Sequence, residues 1–181
     1  MKGADYRAPL AAALAMRAAD LRLRGETDAD AAFVVALYTD MRWEELRQAQ
    51  WPEAAVRDFL AQQCRLQAEH YRLHYPGAEL LLIERVAGTS ATPIGRLYLR
   101  SGSDEVRLMD IALLAAECGS GIGTALVVAL QQEAARRGQR VTLHVEPNNP
   151  AQRLYRRLGF ALIENRGIYD FLGWSEPVAL S

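Results

Sequence analysis

"EVRLMDIALLAAECGSGIGTALVVALQQEAARRGQRVTLHV", residues 105–145, is the stretch whose reading decides the fold. Residues 105–114 read as a strand, nearly continuously apolar towards its end, as in the middle of a sheet. Gly119, Gly121 and Gly123 follow at alternate positions. Ile122, Leu126, Ala129, Leu130 and Ala134 then mark one helical stripe, ended by Gly138. "RVTLHV" (140–145) is a second buried strand. Strand, loop, helix and strand form a crossover unit, so the two strands are predicted to run parallel.

Glycine at this density weakens regular structure, because it loses the most backbone freedom on folding. A glycine-rich turn between strand and helix aims successive N–H groups at one spot beside the positive end of the helix dipole. That is an anion cradle, although a tight turn with no ligand uses glycine too. Two nucleotide cradles fail on spacing. The Walker loop needs Gly-Lys-Ser/Thr, but Gly123 is followed directly by Thr124. The dinucleotide pattern GxGxxG ends on Thr124 counted from Gly119, and on Leu126 counted from Gly121.

Outward from this unit, "ELLLIERV" (79–86) and "IGRLYLRS" (94–101) read as an antiparallel hairpin around the turn-rich "AGTSATP". Further upstream, 20–27 alternates like a strand, and a helix capped near Thr27 or Asp28 follows. Residues 42–52 read as an irregular aromatic and charged connection. A second helix runs from Pro52 to about Tyr75, with Pro76-Gly77 as its stop. Downstream, 149–160 is a short helix with Asn149 as N-cap, Pro150 in its first turn and Gly159 as terminator. "FALIE" and "IYDFLGW" are strands. The fold class expected is α/β: a mixed, mostly antiparallel sheet with a central parallel pair and helices on both faces.

The totals are those of a globular chain: 181 residues, 50% apolar, 24% charged, net charge −1. Residues 21–181 read as one domain, and 1–20 as an N-terminal extension, helical or flexible. "LAAALAM" (10–16) has the apolarity of a signal-peptide core, but Asp5, Pro9 and Arg17 argue against export. The near-neutral charge offers no broad field for nucleic acid. No apolar run reaches the ~18 residues of a membrane span. Cys64 and Cys118 make neither a CxxC pair nor a zinc spacing, and two free thiols in the cytoplasm is the expectation. His70 and His74 stand at metal-binding spacing, but "HYRLH" lacks the glutamate of HExxH, so no metal is expected.

Two motifs together carry a resemblance. Cys118-Gly119-Ser120-Gly121-Ile122-Gly123 is similar to (Arg/Gln)-x-x-Gly-x-Gly/Ala of the GNAT superfamily, the acetyl-CoA-dependent N-acetyltransferases. "EPNNPAQRLYRRLGF" resembles the family's Asn-x-x-Ala-x-x-Leu-Tyr-x-x-x-Gly-Phe, with Asn148, Ala151, Leu154, Tyr155, Gly159 and Phe160 in register. The resemblance covers about 21–174, and its specific part is 110–160. It implies a cytoplasmic transferase with acetyl-CoA as co-substrate. The acceptor would be a small-molecule amine or a peptide N-terminus, attacking directly in a ternary complex. No nucleic-acid or membrane partner is implied, and the oligomeric state is left open, a homodimer included. The backbone of Ile111, Ala112 and Leu113 would pair with pantetheine. The loop N–H groups of Gly119, Ser120, Gly121, Ile122, Gly123 and Thr124 would hold the diphosphate, with Asn148 also on the cofactor side. Arg136 and Arg137 would either reach the 3′-phosphate or complement a helix C-terminus. Two departures stand out: Cys118 replaces Arg or Gln, and Ala115 stands where relatives often have Pro.

The same resemblance gives Tyr155 the role of proton donor to the departing thiolate; a packed core aromatic is the other reading. Neutralising a lysine-like amine of pKa ~10.4 at pH 7 costs about 4–5 kcal/mol, and an α-amine near ~8 about 1 kcal/mol. The glutamate that many relatives use for this falls here on Leu143. Asp110 is the first choice in its place, beside Glu146, His144 or a water chain; a buried salt bridge is the structural alternative for Asp110. The resemblance also implies that the stretch from Trp43 to His74 walls the acceptor site, with Trp43, Glu44, Glu45 and Trp51 as substrate contacts. The alternative to an enzyme is a non-catalytic acyl-CoA-binding or interaction module on this fold. Arg153, Arg156 and Arg157 read as the solvated face of their helix.

Overall fold

The computed structural model describes residues 5–48 and 50–176. The ends of the expected extension and domain, residues 1–4 and 177–181, lie outside the described residues. In chain order the elements are α1 (Arg7–Arg17), β1 (Leu21–Gly25), α2 (Ala31–Arg47), α3 (Glu53–His74), β2 (Glu79–Ala87), β3 (Ser90–Ser101) and β4 (Glu105–Leu113). Then come α4 (Ile122–Arg136), β5 (Arg140–Val145), α5 (Gln152–Arg157), β6 (Ala161–Asn165) and β7 (Asp170–Trp174). Among the described residues there is one seven-stranded sheet, ordered β1-β2-β3-β4-β5-β7-β6. Only β4 and β5 pair in parallel; the other neighbours are antiparallel. This is the mixed sheet that the crossover unit predicts, with helices on both faces.

Strand alternation divides the core. On one face Leu81, Ile83, Leu97, Leu99, Val106, Leu108, Val141 and Leu143 pack with Leu126, Leu130 and Ala134 of α4. Tyr6, Leu10 and Leu14, one stripe at a spacing of four, join the same cluster. On the other face Leu82 meets Val34 of α2 and Cys64 of α3. The N-terminal segment is held by more than packing. The Glu79 carboxylate accepts from the N–H groups of Tyr6 (2.8 Å) and Arg7 (2.9 Å) at the start of α1. Tyr6 Oη donates to Gln139 Oε1 at 2.5 Å, and the Arg137 guanidinium lies 4.2 Å from the Tyr6 ring centre.

Three local expectations change. Residues 42–47 continue α2, because Arg42–Glu45 (2.8 Å) and Glu44–Arg47 (3.2 Å) pair one turn apart in a stretch of good helix formers. The hairpin turn is tighter than the seven-residue loop expected. Ala87 pairs with Ser90 around Gly88-Thr89, and Gly88 has φ +60°. Pro93 is accommodated inside β3 because a bulge lets Glu84 oppose Pro93 and Ile83 oppose Gly95. Finally, α5 is shorter than 149–160. Asn149 Oδ1 accepts from Ala151 N–H at 2.9 Å in a turn ahead of the helix, and Gly159 (φ +83°) ends it.

Candidate active site

The parallel pair β4–β5 lasts only from Glu105↔Arg140 to Leu108↔Leu143. Beyond it β4 stays with β3 while β5 stays with β7, so the two strands part. A bulge marks the place: Leu108 opposes Leu99 and Asp110 opposes Tyr98, leaving Met109 as the extra residue. A cleft of about 1000 Å³ opens there. Its lining includes Asp110 and Ile111 of β4, Leu143 and His144 of β5, Asn148, and Tyr155 of α5. Four of the expected site residues thus meet in one cavity. Ala112 and Leu113 continue β4, and the loop 119–124 lies outside the lining.

Tyr155 is 5% exposed, its ring set edge-on to Phe160 at 5.5 Å. Burial, reinforced by the nearby Asp110 charge, pushes its phenol up to about 12. Neighbours fix the helix that carries it. Gln131 Nε2 of α4 donates to Leu158 O (2.8 Å), and Gln152 Nε2 donates to Asp170 Oδ2 (2.9 Å).

Asp110 pairs with Arg96 at 2.5 Å. The Arg96 side chain is 3% exposed; burial works against its charge, but Asp110 holds it above the ordinary arginine range. Its guanidinium also donates to Gln67 Oε1 (3.1 Å) and sits 4.9 Å from the Tyr98 ring centre. The Asp110 carboxylate is therefore already committed to a cation. His144 stacks on Phe171 at 4.8 Å, with Arg166 NH1 at 3.1 Å from its Nε2. Burial, then Arg107 and Arg166, lower its pKa, so it is neutral at pH 7. Glu146 lines the cleft, as does Leu143, an apolar side chain that also packs into the core.

On the acceptor side Glu45 lines the cleft with Met41 and Arg42. Trp43, Glu44 and Trp51 are outside the lining: Arg57 covers Trp43 at 4.7 Å, Glu44 pairs with Arg47, and Trp51 meets Phe59 edge-on at 5.7 Å. The His70 and His74 rings lie 4.5 Å apart. Among the described residues no three His, Cys, Asp or Glu side chains converge as a metal site. Tyr71, from the stretch 43–74 expected to wall the acceptor site, lines the cleft, as do Tyr75, Arg107 and Tyr169, which sequence reading did not select. Arg96 was also missed, although an arginine inside the apolar run "IGRLYL" is itself a signal of a buried partner.

In the glycine loop, Gly119 (φ +80°) and Gly121 (φ +87°) adopt the left-handed conformation that glycine takes without strain. A Cβ on either would meet nothing within 4 Å, so this side of the loop is open. The first backbone donor after the loop to find an acceptor is Ala125, at 2.9 Å from Gly121 O. Among the described residues, the N–H groups of 119–124 ahead of it have no protein acceptor. Cys118 is exposed. Arg157 of α5 donates to Thr124 Oγ1 at 3.3 Å, while Arg136 and Arg137 are both engaged by Glu133 (2.9 and 2.6 Å).

Gly95 of β3 faces the far end of β4, where a Cβ would stand 2.4 Å from Ala112 O. Gly95→Ala is expected to displace β4 and to cost about 1–3 kcal/mol in denaturant unfolding. An unchanged midpoint would show that β4 shifts freely there.

The model of the acetyltransferase (GNAT) family matches residues 35–160. No curated protein matches the sequence. Among solved structures, the PaiA N-acetyltransferase of Thermoplasma acidophilum, in complex with coenzyme A, is similar with a TM-score of 0.62 at 15% identity, over 86% of this chain and 99% of that one. A domain from Methanocaldococcus jannaschii gives 0.63 at 13%, over 86% and 98%. Arabidopsis thaliana Naa50, in complex with the bisubstrate analogue CoA-Ac-MVNAL, gives 0.55 at 16%, over 87% and 99%. At these identities the neighbours establish the fold, and it is the family model, spanning well over half of the chain and both of its motifs, that makes this protein a member of the GNAT acetyltransferase family.

Proposed function

We propose that the protein is an N-acetyltransferase that moves the acetyl group of acetyl-CoA to a primary amine by direct attack in a ternary complex. The observation that carries this reading is one run of chain: β4 parts from β5 and leads straight into six consecutive N–H groups without acceptors. Pantetheine would lie along Ile111, Ala112 and Leu113, with the diphosphate on the loop from Gly119 to Thr124. Asn148 would lie on the cofactor side of the cleft. The acetyl group would then enter the cleft beside Tyr155, with acceptor space between α2, α3 and Tyr169.

The proton balance assigns the roles. The amine loses a proton as it forms the amide, and the thiolate gains one. A phenol held up to about 12 keeps its own proton firmly, so Tyr155 serves by donating a hydrogen bond to sulfur as charge develops there. Asp110, tied to Arg96, acts as a fixed negative charge that orients the acceptor ammonium and draws its proton towards water. Leu143 stands where many relatives carry the glutamate and Asp110 is already paired with Arg96, which favours an acceptor of low pKa such as an α-amine.

At saturating substrate the rate should rise with pH as the amine deprotonates, with no falling limb below about pH 10, because Tyr155 stays protonated there. A falling limb centred near pH 8–9 that persists in Tyr155→Phe would remove Tyr155 from the donor role. The deciding experiment is acetyl-CoA turnover against a panel of small amines, lysine peptides and peptides with free N-termini, with CoA affinity measured in parallel. Turnover selective for α-amines supports the proposal. CoA binding without turnover on any acceptor would instead identify an acyl-CoA-binding module, and failure to bind CoA would overturn both.

A further inference from the structure

The cradle segment 114–124 contains one charged side chain, and it has the wrong sign for a diphosphate site. Glu117 sits two residues ahead of Gly119, with Cys118 between them and no basic side chain in the segment. Glu117 is also built into the loop's geometry. Its carbonyl accepts from Ser120 Oγ at 2.6 Å, and its own N–H donates to Leu114 O at 2.9 Å. Left uncompensated, its carboxylate would repel an incoming diphosphate.

The compensation comes from a different part of the chain. Arg85, near the end of β2, grips Glu117 with two bonds, NH2 to Oε2 at 2.5 Å and Nε to Oε1 at 3.2 Å. Its NH1 is taken by Asp20 ahead of β1, which fixes the guanidinium from the opposite side. The Glu117 side chain is 18% exposed, less than either Arg85 (37%) or Asp20 (48%), so solvent screens it least.

We propose that Arg85 is a positioning residue of the CoA loop, offsetting the Glu117 charge through a two-bond ion pair so that the diphosphate can approach the backbone donors of Gly119 to Thr124. Its effect is electrostatic and passes through Glu117. This rests on reading the loop as a CoA diphosphate site. It explains why an acidic residue is tolerated at the rim of a cradle whose nearest other cation, Arg157 on Thr124 Oγ1, comes from α5.

The test is CoA affinity by titration calorimetry at low ionic strength for wild type, Arg85→Ala, Glu117→Ala and the double variant, with thermal midpoints measured without CoA. Arg85→Ala frees the Glu117 charge and should weaken CoA about tenfold, the order expected for one like charge several ångströms from a diphosphate. The loss should narrow at high salt and appear in KM for acetyl-CoA rather than in kcat. Glu117→Ala should bind within about threefold of wild type, and the double variant should recover most of what Arg85→Ala lost. If Arg85 merely tethers the loop, Glu117→Ala and the double variant will be as weak as Arg85→Ala, and the proposal fails. It fails as well if Arg85→Ala binds CoA normally. A wild type that binds no CoA overturns the functional reading itself, a result separable from both.

Discussion

Tyr155→Phe should lower kcat at least tenfold, on the order of 10²-fold, while leaving CoA affinity within about twofold. The substitution removes one oxygen from a ring that is 5% exposed and packed against Phe160, so the cleft keeps its shape. What would be lost is the hydrogen-bond donor proposed for the departing sulfur, an interaction that strengthens only as the C–S bond breaks. That pattern falls on kcat and kcat/KM alike. The measurement is steady-state kinetics beside calorimetric CoA binding. A variant with unchanged kcat would make Tyr155 a packing residue and leave the thiolate to depart without help. A large rise in CoA dissociation constant with kcat preserved would point to cofactor placement instead.

Leu10→Ala should cost about 2–5 kcal/mol in denaturant unfolding, although it lies far in sequence from the central strands. Leu10 is fully buried, with Tyr6 and Leu14, in the cluster that includes α4 and the central strands. Removing three side-chain carbons from such a site leaves a cavity that only partial relaxation can fill. The comparison is Met16→Ala on the same helix, 90% exposed, which should stay within about 0.5 kcal/mol of wild type. If the two variants unfold alike, α1 is a loosely attached appendage.

These two residues mark what was legible in advance and what was not. Tyr155 was readable because its motif is local: Asn, Ala, Leu, Tyr, Gly and Phe follow at fixed spacing on one short helix and its turns. The crossover unit was readable for the same reason, since strand, glycine loop, helix and strand are consecutive, and handedness then dictates a parallel pair. Leu10 was readable only as part of an alanine-rich helix. Its stripe carries no mark of the surface it meets, because Glu79, Arg137 and Gln139, which hold that end of α1, lie 73 to 133 residues from the groups they bind.

Asp110 shows the same boundary from inside the site. A carboxylate within an apolar strand announces that something must compensate it, and sequence offered both a base with a raised pKa and a buried ion pair. Choosing needs the cross-strand register: Asp110 opposes Tyr98 on β3, and Arg96, two residues before Tyr98 on that strand, brings its guanidinium onto the same face of the sheet.

The sequence by itself determined the elements whose causes are local: the period of each helix and strand, the glycines that free the loop's N–H groups, and the tyrosine at its motif position. Only the tertiary structure decided the pairings across the sheet. The bulge at Met109 sets where β4 leaves β5, Arg96 claims Asp110, Arg85 reaches Glu117, and α1 closes the core. The physical reason is that periodicity and turn geometry act over a few residues. Charge compensation and burial act over a few ångströms, and only folding brings distant residues that close.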